Sequence, residues 1–468
     1  MTLEPFEIHN LFWHSLDEYL KLDPHLNKLA SIPLVHKPEL LNTLPINTPG
    51  IYIVTGGRQV GKSTLFKLMI QKILGEKDIK PKQIFYLPCD TLETFSQLLS
   101  TIESFEESLD QNEYFYLFID EVTYVREWDR AIKSLADKGF FNNGCAIISG
   151  SDSFLLREAM MGFPGRRGMA PQTDFHLYPL SYFEYTALHK KSWIDDFHPL
   201  REEFKNTLAI PFGLNKHLPH LGELYSLWST YLQTGGYLTA LNSLHTHQTI
   251  LPAVYRTYVQ WVVGDMLKRE KKEIYVHDIF QALIHRPASQ ITWNSLLSDV
   301  RIEHHQTIAD YVYHLERMGV LLECPAFRED KFRAAPKKAR KIHFQDPFIF
   351  HAMHGWIRDE KNPFELTQKT LSPENDWLAA LVEGCIASLA ARTFQTYYIK
   401  GEGEVDLALV SHQSFLPIEV KWSLTPKPAE LKQLLKYKNG VVAYRGENIG
   451  FVSGAKVLPI PLLALLLG

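Results

Sequence analysis

Gly56-Gly57-Arg58-Gln59-Val60-Gly61-Lys62-Ser63 follows an apolar run at residues 51–55 and precedes a helical pattern at residues 62–74. The eight residues match GxxxxGK[ST]. Glycines allow the backbone to wrap around phosphate oxygens, and the helix that follows turns its free N–H groups and positive end toward them. In that arrangement Arg58, Gln59 and Val60 complete the loop and Lys62 reaches the β and γ phosphates. Ser63 offers its hydroxyl to Mg²⁺, and Thr64 continues the loop–helix junction. The stretch predicts a strand, a phosphate-binding loop and a helix closed by Gly75 as its C-cap.

On the C-terminal side of this stretch, apolar runs recur at 83–87, 114–119, 145–149 and 175–178, separated by helical patterns. Short buried strands alternating with helices predict an α/β fold whose parallel sheet is covered on both faces. The run at 114–119 ends in Asp120-Glu121. Successive residues at a strand end point apart, so the two acids are free to differ in role. Asp120 is expected to hold Mg²⁺ and Glu121 to act as general base toward water. The next run ends in Ile148-Ser149-Gly150-Ser151, which places Ser149 or Ser151 to orient that water. Gly165-Arg166-Arg167-Gly168 carries two arginines suited to stabilising phosphoryl charge, in cis or from a neighbouring subunit.

These motifs resemble the bacterial and archaeal AAA-type (ASCE) P-loop ATPases in which a winged-helix segment and a PD-(D/E)XK nuclease-like domain follow the ATPase. The resemblance rests on GGRQVGKST, FYLFIDEV, ISGSDS and GRRG, and it extends over residues 48–450. It includes a Gly-Gly helix end, here Gly235-Gly236-Tyr237, although Leu238 stands where the family usually has proline. The resemblance implies ATP and Mg²⁺ as cofactors, a DNA-directed motor or switch, and a homo-oligomer.

Composition bounds the remainder. The 468 residues, 45% hydrophobic and 22% charged, predict a globular chain of three or four domains. Lys and Arg total 49 against 53 Asp and Glu, so any nucleic-acid surface is local rather than general. Cys89, Cys145, Cys324 and Cys385 lie far apart, without CxxC spacing, which points to a reducing, cytoplasmic setting. The N-terminus lacks the pattern of a signal peptide. The apolar tail at 457–467 is too short to span a membrane and reads as a docked strand or short helix. The paired histidines 217/220, 245/247 and 304/305 read as surface or capping residues.

The expected organisation is an N-terminal segment (1–47), the ATPase core (48–180), a helical lid (181–270) broken at Pro199, Pro211 and Pro219, a winged helix (271–350) and a nuclease-like α/β domain (370–468). Residues 291–300 and 306–318 have the spacing of a helix-turn-helix with Gln306 and Thr307 outward, and 320–326 with 341–344 forms a wing hairpin. Between residues 328 and 341 lie seven basic and two acidic residues. Arg328, Lys331, Arg333, Lys337, Lys338, Arg340 and Lys341 are therefore expected on DNA phosphates.

Near the C-terminus, strands at 403–410 and 416–422 carry Asp406, then Glu419 and Lys421 two residues apart on one face. This is the D…ExK arrangement of the PD-(D/E)XK superfamily. Asp406 and Glu419 would bind Mg²⁺, Glu383 on the helix at 377–392 would complete the shell, and Lys421 would serve the attack on a phosphodiester. The sequence thus points to an ATP-hydrolysing protein acting on duplex or branched DNA, with DNA cleavage open. A non-cleaving branch-migration motor and a signalling switch that binds a protein partner are the alternatives.

Overall fold

Five apolar runs form β1 (Gly50–Thr55), β2 (Ile84–Pro88), β3 (Phe115–Asp120), β4 (Gly144–Ser149) and β5 (Asp174–His176). The structure, a computed structural model, describes residues 3–468 except 77, 111, 151–155, 157, 160, 164, 412, 413 and 453. Ser151 therefore lies outside the described residues. The chain divides into two units, Met1–Tyr178 and Pro179–Gly468.

In the first unit the strands lie in the order β2-β3-β4-β1-β5, every neighbouring pair parallel. All six residues of β1, of β3 and of β4 are buried. Alternation at period two sends Ile51, Ile53, Leu117 and Ile119 to one core and Tyr52, Val54, Tyr116 and Phe118 to the other. Helix α1 (Lys62–Glu76) covers the second core with Leu65, Phe66, Met69, Ile70 and Ile73, a helical 3–4 spacing. It runs one residue past Gly75, so that glycine is inside the helix and does not cap it.

Residues before β1 belong to this unit rather than forming a separate segment. Asn10 donates to Tyr86 O (2.9 Å) and accepts from Tyr86 N (2.8 Å), while Trp13 donates to Ile84 O (2.8 Å). These side chains satisfy the exposed edge of β2 as a paired strand would.

In the second unit, helix α2 (His305–Arg317) precedes an antiparallel hairpin, β6 (Leu321–Pro325) with β7 (Arg340–Phe344). Helix α3 (Asp376–Ala391) follows, then β8 (Gln395–Lys400), β9 (Glu404–Ser411), β10 (Ser414–Lys421), β11 (Val441–Tyr444), β12 (Gly450–Val452) and β13 (Ala455–Pro459). Their order is β8-β9-β10-β11-β13-β12, with β10, β11 and β13 parallel and the other neighbours antiparallel. The apolar tail forms β13 and then a fully buried helix, Ile460–Leu467. Among the described residues, no helix is long and apolar enough to cross a membrane.

The hairpin is fastened to this sheet. Phe327, just beyond β6, is buried among Ile399, Val405 and Val410, and Tyr398 donates to Ala339 O (2.7 Å). Tyr437 donates to Glu329 (2.7 Å). The segments expected as lid, winged helix and nuclease-like domain therefore form one unit. A second difference concerns Pro199, which sits inside the helix Lys191–Thr207 instead of ending it. Buried Ile194, Phe197 and Phe204 on both sides of it hold the helix together across the lost hydrogen bond.

The Gly-Gly helix end has a packing cause. Gly235, at φ +55°, ends the helix Leu221–Thr234, and a Cβ there would lie 1.7 Å from Asp346 Oδ1. A Cβ on Gly236 would lie 2.1 Å from Leu180 O. Asp346 is buried, accepts from Gly236 N and Phe348 N (2.8 Å each), and burial pushes its carboxyl up to about 6. Gly235→Ala should therefore destabilise the chain by about 3 kcal/mol. Gly222→Ala, where a Cβ meets nothing within 4 Å, should have no such effect. Urea unfolding followed by tryptophan fluorescence distinguishes the two.

Candidate functional site

Parallel register brings the ends of β1, β3 and β4 to one edge of the first sheet, and the phosphate loop lies there. Gly56 (φ +155°) leaves β1 so close to the chain that a Cβ would lie 2.4 Å from Leu177 O. At Gly61 (φ +100°) a Cβ would meet nothing within 4 Å. The loop is thus tight against the protein at its start and open at the turn into α1, the shape of a phosphate cradle.

Lys62 is buried, and its ammonium donates to Gly56 O and Gly57 O (3.1 Å each) with Glu121 Oε1 at 3.5 Å. Asp120 is buried, takes a hydrogen bond from Tyr86 (2.7 Å) and another from Ser149. Glu121 adopts φ +52°, unusual for a residue with a side chain, and its N–H donates to Ser149 Oγ (3.1 Å). Lys62, Asp120, Glu121 and Ser149 are therefore brought together. The Ser149 hydroxyl is committed to Asp120 and to the Glu121 backbone, so it positions the acids instead of orienting water. Ser63 and Thr64 are half-buried at the start of α1, Thr64 with His25 Nδ1 at 3.3 Å. The donor set of loop N–H groups, one ammonium, one hydroxyl and a buried aspartate fits a nucleotide with Mg²⁺.

Arg166 and Arg167 lie elsewhere. Arg166 pairs with Asp137, and Arg167 holds Asp174 with two N–H···O bonds (2.6 and 3.0 Å). Arg167 O accepts from Ile51 N (3.2 Å), at the end of β1 opposite the phosphate loop. Arg167 is thereby held at the far end of β1 from this chain's own phosphate site, and Arg166 is engaged with Asp137.

Three supporting residues carry no motif. Lys67 is buried on α1, pairs with Asp23 (3.1 Å), donates to His9 O (2.8 Å) and lies 3.5 Å over the Tyr86 ring. Burial lowers the Lys67 pKa, while Asp23 opposes that shift. Burial, with Asp120 beside it, raises the Tyr86 phenol and keeps it a donor. The only trace in the sequence is one lysine inside the apolar run 65–70.

The second site lies in the second unit. Asp406 on β9 faces β10, where Val420 N donates to its Oδ2 (2.9 Å) and Glu419 Oε2 accepts from its N–H (3.3 Å). Lys421 is 2.6 Å from Glu419 Oε1 and 3.7 Å from Asp406 Oδ2. Glu383 joins from α3, so the four expected residues converge. A fifth arrival is Lys341 from β7, 1% exposed, with its ammonium 2.7 Å from Glu383, 2.5 Å from Glu404 and 3.1 Å from Asp406. Burial opposes the charge on Lys341, but Asp406, Glu383 and Glu404 outweigh it and hold the ammonium well above its usual range. Burial and Asp406 push Glu383 and Glu419 upward. Asp406 is held low, because Lys341 and Lys421 outweigh its burial.

This arrangement does not fit a divalent metal. Both gaps between carboxylates contain an ammonium, and among the described residues no group of three or more His, Cys, Asp or Glu side chains is disposed to hold a metal ion.

The basic stretch is correspondingly reduced. Lys341 is buried among acids rather than on a phosphate-contacting face. Arg340 pairs with Glu323 (2.9 Å) and lies 4.2 Å over Trp293, so it too is committed. Arg328 pairs with Asp330 (3.0 Å) at the surface. Lys331, Arg333, Lys337, Lys338 and Gln306 are exposed, and Thr307 is half-buried.

Residues 48–186 match the family described as "AAA domain", and residues 225–360 match a "Domain of unknown function (DUF8612)". Sheet order, phosphate loop and paired acids make the first unit an AAA-type P-loop ATPase domain. An uncharacterized protein of Haemophilus influenzae is 26% identical over 151 residues, 31% of this chain and 35% of the relative. Uncharacterized protein MJ1637 of Methanocaldococcus jannaschii is 28% identical over 149 residues, 31% of this chain and 29% of the relative. The chain thus spans about a third of the length of the curated relatives it matches. Among solved structures, the Walker-type ATPase PABY2304 of Pyrococcus abyssi is 14% identical with a TM-score of 0.38, covering 73% of this chain and 96% of that one. The Aeropyrum pernix ORC1 protein in complex with DNA is 12% identical with a TM-score of 0.31, covering 74% and 94%.

The buried Lys67–Asp23 pair yields a direct test. Asp23→Ala takes the carboxylate from the Lys67 ammonium and the helix cap from His25 N and Leu26 N, and should cost about 3–5 kcal/mol, whereas Asp23→Asn with Lys67→Met, which keeps the cap, should recover most of that loss. A double-mutant cycle in urea measures both.

Proposed function

We propose that the chain is an ATP-hydrolysing, DNA-binding motor or switch, with nucleotide chemistry in the first unit and DNA contact in the second. The observation that carries the reading is the meeting of Lys62, Asp120 and Glu121 at one sheet edge, the acids fastened by Ser149 from the strand between. Loop N–H groups and Lys62 would bind the phosphates, with Lys62 leaving the Gly56 and Gly57 carbonyls for them. Glu121 would accept the proton of the water that attacks the γ phosphorus, as the bond to the β-phosphate oxygen breaks. Mg²⁺, held by Asp120 and the Ser63 hydroxyl, would neutralise phosphate charge. Lys62→Ala should abolish the thermal shift produced by ATP. Glu121→Gln should retain that shift while lowering turnover by about 100-fold or more. A wild-type chain with no ATP-dependent shift would falsify this reading.

For DNA, α2 with the β6–β7 hairpin supports a winged-helix reading, and the exposed Lys331, Arg333, Lys337 and Lys338 form its charge. Duplex or branched DNA is the proposed partner. Neutralising those four residues should lower the log–log salt slope of binding by about 3–4 units if each meets a phosphate. An unchanged slope, with ATPase activity that DNA does not stimulate, would favour a protein partner. Of the DNA readings, Lys341 within the acid cluster favours a unit that binds without cutting. The proposed homo-oligomer would need Arg166 or Arg167 to exchange Asp137 or Asp174 for a neighbour's phosphate.

A further inference from the structure

We propose that Lys341 takes the place of the divalent cation in the D…ExK cluster, so that the second unit is locked together by an internal ammonium and is closed to metal. Glu383, Glu404 and Asp406 lie on α3 and β9, and Lys341 reaches all three from β7. One side chain therefore ties a helix, a sheet strand and the hairpin. Lys341 is paired through its backbone with Cys324 in the hairpin and is 1% exposed, so the ammonium cannot step aside into water without opening the hairpin. The remaining gap, between Asp406 and Glu419, is taken by Lys421.

A second feature points to a latent metal site. His343 is two residues along β7 from Lys341, is 4% exposed, and its Nε2 has no hydrogen-bond partner among the described residues. That nitrogen lies 3.9 Å from Glu383 Oε1, beyond hydrogen-bonding distance. Take away the Lys341 ammonium, and three carboxylates with one imidazole border the vacated space. That donor set suits Mn²⁺.

The test uses the full chain without nucleotide, so its outcome is separate from the ATPase reading. Free Mn²⁺ is followed by electron paramagnetic resonance, and unfolding midpoints are read with and without Mn²⁺. Wild type should take up no stoichiometric Mn²⁺, and its midpoint should not move. Lys341→Met should have a lower midpoint, bind one Mn²⁺ more tightly by about tenfold or more, and recover stability with Mn²⁺. Adding Asp406→Asn should remove that binding. Lys341→Gln serves if the methionine variant does not fold. Wild-type protein that binds one Mn²⁺ and loses it in Asp406→Asn overturns the proposal, and this result needs no Lys341 variant. A folded Lys341 variant that binds no more Mn²⁺ than wild type overturns it as well.

Discussion

An ammonium removed from water is costly enough that the chain around it must supply matching carboxylates. Lys341 meets that requirement with residues from two other elements, and the architecture of the second unit follows from it. The hairpin cannot leave the sheet without exposing three acids to one another. Phe327, Tyr398 and Tyr437 reinforce the same attachment through apolar and hydrogen-bonded contacts. A stretch whose composition looks like a mobile basic wing is thus partly structural. Its two residues on β7, Arg340 and Lys341, are engaged by acidic partners, while Lys331, Arg333, Lys337 and Lys338 keep their charge in solvent.

In the first unit the organising contact is a hydroxyl. Ser149 ends β4, which lies between the phosphate-loop strand and the strand of the acids. Its hydroxyl donates a hydrogen bond to Asp120 and accepts one from the Glu121 N–H, so one side chain sets both acids. Tyr86 fixes the other oxygen of Asp120 from β2, and behind it Lys67 links the ring to Asp23 in the segment before β1. The acid pair is therefore held by a network that reaches from β4 to the N-terminal segment. Positive φ at Glu121 is sustained by the same contacts.

What the residues alone establish is the chemistry that is local. Residues 56–63 match a backbone geometry that few other residues permit, and the five apolar runs read from the sequence match β1 to β5 within two residues. Asp406, Glu419 and Lys421 were legible because strand periodicity alone puts the last two on one face. Pairings between distant elements were not legible. Nothing at position 341 separates a lysine aimed at solvent from one aimed at Glu383, because Lys341 and His343 alternate with apolar Ile342 and Phe344 as a solvent-facing pair would, yet both are buried. Pro199 within a helix, Tyr86 against Asp120 and Asp346 filling the space over Gly235 are of the same kind. Local patterns record how a residue relates to its neighbours along the chain. Only the packed structure decides which buried charge lies beside which, since that depends on distances between elements far apart in sequence.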